Sequence, residues 1–85
     1  MINKGNLPVM NDFNVETGKR IKGQRLKQGM TRDALSQKAG ISDKFLYEIE
    51  IGKKGMSAET LYKITNVLNI TTDWVLCGKM TEDGF

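Results

Sequence analysis

Residues 31–51 read TRDALSQKAGISDKFLYEIEI, and the spacing inside this stretch decides the fold. Leu35 and Ala39 stand four apart before Gly40, and Ile41, Leu46 and Ile49 follow it, with Leu46 and Ile49 three apart. Three- and four-residue spacing is the period of a helix, not the alternation of a strand. Both halves open on a start signal, Thr31 followed by Asp33 and Ser42 followed by Asp43. The hydroxyl accepts an orphan backbone N–H, and the acid meets the positive end of the helix dipole. Between the two helices stands only Ala39-Gly40-Ile41, with Ser42 already capping the next helix. A link this short forces a steep crossing with a small residue at the corner. Ser36 falls where the helices approach and a large side chain would clash. The second helix, over 42–52, is expected to present Asp43, Lys44, Tyr47 and Glu48 outward. This is the pattern of a DNA-binding helix-turn-helix.

The same punctuation extends outward. Ser57 precedes Glu59 and Thr71 precedes Asp73, predicting two further helix starts, and an earlier helix is expected to begin near Asn14 or Val15. Gly29, Gly40 and Gly52 are placed to end the first three helices, and Asn69 and Gly78 the last two. These residue types tolerate the left-handed conformation that closes a helix. Leu61, Ile64 and Leu68 form one stripe, and Trp74, Val75 and Leu76 are expected to close the core from a short final helix. The expected fold is all-α with five helices and no sheet. Residues 1–14 read as a flexible arm whose last few positions are open to being ordered, 15–78 as the folded domain and 79–85 as a C-terminal tail.

Composition narrows the function. With 85 residues the chain suits one compact domain. A single cysteine, Cys77, allows no internal disulfide, and the absence of histidine removes the common zinc sites and the His-dependent catalytic pairs. No phosphate-binding glycine motif is present, so neither an enzyme nor a cofactor is expected. No apolar run is long enough to span a bilayer and no secretory signal stands at the N-terminus, so a cytoplasmic location is expected. The formal net charge is +3, unevenly spread. Between Gly18 and Lys54 stand ten basic residues and four acids, which leaves the remainder of the chain at −3. A basic half on a nearly neutral protein points to a polyanionic partner.

From Gly18 to about Leu76 the sequence also resembles the lambda-repressor-like helix-turn-helix family of Cro and repressor type, including regulators like those of xenobiotic response elements. The resemblance rests on Arg20-Ile21-Lys22 and Arg25, Gly29-Met30-Thr31, Ala39-Gly40-Ile41-Ser42, Ile49-Glu50, Gly52-Lys53, and Ser57 through Leu61. It implies a five-helix fold, binding in the DNA major groove, and a homodimer on a pseudo-palindromic operator. It also implies a structural ion pair between Arg20 and Glu50, joining the first helix to the third. Two positions depart from the family pattern: Arg32 stands where glutamine is common, and Met56 where proline is common.

These readings converge on a sequence-specific transcriptional regulator, a repressor, with double-stranded DNA as partner and no metal or membrane. Asp43, Lys44, Tyr47 and Glu48 are the candidates for base contact, Glu48 being alternatively a partner of Lys44. Arg32, Ser42, Lys53 and Lys54 are the candidates for phosphate contact. Phe45 is expected to pack against the loop at 54–56, Trp74 to be core, and Cys77 to be buried or to face a second copy. The two acids on the outward face leave a second reading open, a protein-interaction module on the same fold, such as an antitoxin or a phage-derived adaptor.

Overall fold

The computed structural model describes residues 12–79, and among them are five helices and no strand: α1 Asp12–Lys27, α2 Arg32–Ala39, α3 Asp43–Glu50, α4 Ala58–Leu68 and α5 Thr72–Cys77. None of these helices is long and apolar enough to cross a membrane.

Each expected hydroxyl cap is in place. The Thr31 side chain accepts from Ala34 N at 3.0 Å, Ser42 from Phe45 N at 3.0 Å, Ser57 from Thr60 N at 3.1 Å and Thr71 from Trp74 N at 3.1 Å. The expected stops hold as well: Gly29, Gly40, Gly52, Asn69 and Gly78 all have positive φ. At Gly40, φ is 74° and the next N–H, from Ile41, returns to Ser36 O at 3.0 Å, closing α2 before α3 begins. Open space surrounds the position a Gly40 Cβ would take, so the backbone, not crowding, demands glycine there.

The core is Ile21, Leu35, Ala39, Leu46, Ile49, Ile64, Leu68 and Val75, with Ile41, Phe45, Leu61 and Trp74 half-buried against it. α1 packs on α3 and α5, and α2 on α3 and α4, so α3 is held from two sides. Ser36 is buried at the α2–α3 approach, and its hydroxyl donates to Asp33 O at 2.9 Å. Phe45, expected against the loop at 54–56, is half-buried against the core.

Some expectations need correction. α1 starts at Asp12, two residues before the earliest expected start, so 12–14, the last positions of the expected arm, are helical. Val15 of this first stretch lies against Gly52 and Asn14 against Gly55, which ties it to the loop after α3. The rest of the expected arm, and the tail beyond Lys79, lie outside the described residues. Cys77 is exposed, so of its two expected places the core is excluded.

The ion pair between α1 and α3 uses a different arginine. Arg25, not Arg20, binds Glu50: Nε donates to Oε2 at 2.7 Å and Nη2 to Oε1 at 3.0 Å. Both side chains are more than nine-tenths buried. The reason is helical phase. Thr17, Ile21 and Arg25 recur every fourth residue on the buried stripe of α1, whereas Arg20 lies beside it. Arg20 reaches the other way and donates to Val75 O at 2.7 Å, near the C-terminus of α5, where a cation also meets the negative end of the helix dipole.

Candidate nucleic-acid interface

The α2–α3 pair places an eight-residue helix on the surface with its first turn open. Ser42 caps this helix through its hydroxyl, so its side chain is engaged in folding, while Ser42 itself stays exposed at the positive helix end. Lys44 is exposed one residue into α3. Tyr47, 45% exposed, stands beyond it.

Asp43 and Arg32 form a bidentate pair across the turn. Arg32 Nη2 donates to Asp43 Oδ2 at 3.0 Å, and Nε reaches both carboxylate oxygens at 3.1 and 3.2 Å. The arginine carbon lies 5.1 Å from the centre of the Tyr47 ring, close enough for cation–π attraction. The Asp43 hydrogen bond raises the Arg32 pKa further above its ordinary value. Both side chains remain about two-fifths exposed, so the pair sits at the rim of the face rather than beneath it. Asp43, Arg32 and Tyr47 therefore form one cluster, where the sequence reading had separated a phosphate contact from two base contacts. Arg32 Nη1 takes no part in the pair and remains a donor toward an anion.

Glu48 does not face outward. Its side chain is 9% exposed, and its carboxylate lies 3.4 Å from Lys54 Nζ and 3.8 Å from Lys53 Nζ. The expected pairing with Lys44 does not form; Glu48 is turned toward the end of the helix. The backbone explains this: Glu48 O accepts from Lys53 N at 2.8 Å and from Lys54 N at 3.2 Å, folding the loop back over its residue. Lys53 and Lys54 stay more than half exposed. The structure thus brings Arg32, Asp43, Lys44 and Tyr47 together at the start of α3, sets Lys53 and Lys54 at its far end, and removes Glu48 from the face. Arg25 is the structural residue to which the sequence assigned a place in the basic half and in the family pattern but no partner. Its position four residues after the apolar Ile21 was the available signal.

Residues 21–75 match the family HTH_3, described as helix-turn-helix. The HTH-type transcriptional regulator ImmR of Bacillus subtilis (strain 168) is 34% identical over 59 residues, 69% of this chain and 46% of the relative. The chain spans about half the length of the curated relatives it matches. Among solved structures, SinR, a master regulator for biofilm formation crystallised in complex with DNA, superposes with a TM-score of 0.68 at 31% identity, over 71% of this chain and 97% of that one. The P22 c2 repressor in complex with a synthetic operator superposes with a TM-score of 0.71 at 25% identity, over 74% of this chain and 96% of that one.

Proposed function

The chain belongs to the HTH_3 helix-turn-helix family, of lambda-repressor and Cro type, and on that premise we propose that it is a sequence-specific DNA-binding regulator of transcription, acting as a repressor. The observation that carries this reading is the open first turn of α3, with exposed Lys44 and Tyr47 beside the Arg32–Asp43 pair. In a helix-turn-helix the N-terminal residues of the second helix meet base edges, and the first helix crosses the backbone. On this docking Lys44 donates to guanine O6 or N7. The Asp43 carboxylate accepts from an exocyclic amine, and the apolar edge of Tyr47 lies against a thymine methyl. Arg32, at the start of α2, meets a phosphate through its spare nitrogen while holding Asp43 in place. The two lysines after α3 face the backbone at the other end.

The regulator is further proposed to act in the cytoplasm as a homodimer on a pseudo-palindromic operator, since two-fold protein symmetry matches two half-sites about one helical turn apart. The alternative of a protein-interaction module rested on two acids facing outward from α3. Glu48 is buried against two lysines, which removes one of those acids from the face, and Asp43 stays there as the partner of Arg32.

Selection from a pool of random-sequence duplexes, followed by a gel shift on the enriched sequence, tests the reading. Enrichment of one motif, bound well above random duplex, is the expected result. No enrichment, with equal weak binding to every duplex, would refute it.

A further inference from the structure

Glu48 is the one residue of α3 whose position contradicts its sequence reading, and its surroundings are charged. Its side chain is nearly buried, and among the described residues its ion-pair partners are the ammonium groups of Lys53 and Lys54. Those lysines are also the cations that the DNA reading places against phosphate. One buried anion and two exposed cations cannot all be satisfied as the face charge suggests. A buried carboxylate left without a partner is costly, far more so than an exposed ammonium left in water. When a phosphate approaches, one lysine is free to leave Glu48, but the departure of both strands the acid.

We propose that Glu48 retains one of the two lysines when DNA is bound, so that Lys53 and Lys54 together neutralise one phosphate and not two. The acid is then a positioning residue. It fixes the loop after α3 and limits the sequence-independent part of the affinity, leaving the base preference to the start of the helix. The inference rests on the DNA reading above and concerns a different end of α3.

Salt dependence measures it directly, because log affinity falls against log salt by about 0.9 for each phosphate neutralised on duplex DNA. The probe is a random-sequence duplex titrated with the full chain at several salt concentrations. Lys53→Gln and Lys54→Gln are each expected to reduce the slope by about 0.9, and the double variant by the same amount, about 0.9 in total, not by about 1.8. Glu48→Gln is expected to steepen the slope by about 0.9 and to tighten random duplex binding, with the enriched motif unchanged. Additive lysine effects overturn the proposal, as does an unchanged slope in Glu48→Gln. Thermal melting of each variant accompanies the titration. If Glu48→Gln does not fold, the lysine series decides alone, since both lysines are exposed. An unaltered chain that binds no duplex would sink the DNA reading itself; one that binds, with additive lysines, sinks only this inference.

Discussion

At the scale of single residues, two arginines on α1 have separate structural roles. Arg25 is locked in a buried bidentate pair with Glu50 and also donates to Met30 O at 2.9 Å, so it ties the end of its own helix as well as α3. Removing one partner of a buried pair leaves a charge without compensation and costs roughly 3–5 kcal/mol. Arg20 makes a charge-assisted bond to one carbonyl, worth roughly 1.5–3 kcal/mol. Arg25→Met is therefore expected to lower the melting temperature further than Arg20→Met, and equilibrium urea unfolding of the two variants orders them. The reverse order would return the Glu50 pair to Arg20. Two glycines on the same helix offer a second contrast. A Cβ on Gly18 would run into the main-chain oxygens of Ile49 and Glu50, whereas one on Gly23 meets nothing within 4 Å. Gly18→Ala must push α1 off α3, an overpacking cost of about 1–3 kcal/mol. Gly23→Ala improves helix propensity by up to about 1 kcal/mol. Calorimetry on the pair should show Tm shifts of opposite sign, and equal shifts would mean that α1 does not approach α3 so closely.

At the scale of the element, α3 is short and depends on its ends. Eight residues make a helix too brief to persist alone, so the Ser42 cap and the packing of Leu46 and Ile49 hold it. Ser42→Ala is expected to cost about 1 kcal/mol of stability and to loosen the turn that presents Lys44. Amide exchange through the first turn of α3 should then rise more than exchange in α4. The binding consequence belongs to the exposed side chains of the same turn. Lys44→Ala is expected to change the motif enriched in a selection, with a penalty of about 1–3 kcal/mol at one base pair. Glu48→Ala, despite standing one helical turn away, is not expected to shift the motif, because its side chain is nearly buried and its carboxylate pairs with Lys53 and Lys54. A motif altered by Glu48→Ala and untouched by Lys44→Ala would place the reading surface at the wrong end of α3.

At the scale of the whole molecule, α5 buries Val75 fully but leaves Trp74 and Leu76 half-covered, with Cys77 exposed beside them. The homodimer proposed above would cover this apolar margin across a two-fold axis. Sedimentation velocity of the free chain and of its complex with an enriched duplex is expected to show a dimer in at least the complex. Only monomers in both samples would remove the dimer and, with it, the need for a pseudo-palindromic site.

Much of this architecture was legible before any coordinates because its determinants are local. A hydroxyl before an acid marks a helix start through one hydrogen bond three residues away, and a glycine or asparagine marks a stop through its own φ. Thr31, Ser42, Ser57 and Thr71, with Gly29, Gly40, Gly52, Asn69 and Gly78, therefore delimited α2 to α5 and the end of α1. The start of α1 has no hydroxyl before its acid, and Asn14 and Val15 in its first turn lie against the loop at 52–55, far along the chain. The side-chain partners escaped the sequence for the same reason. Glu50 chose Arg25 over Arg20 because the phase of α1 against α3 turns only one of them into the core. Glu48 turned from the outward face because the loop after α3 folds back onto it. Residue types and periods determined five helices around a helix-turn-helix; which charges meet across them depended on where three-dimensional packing brought the helices, and only the tertiary structure decided it.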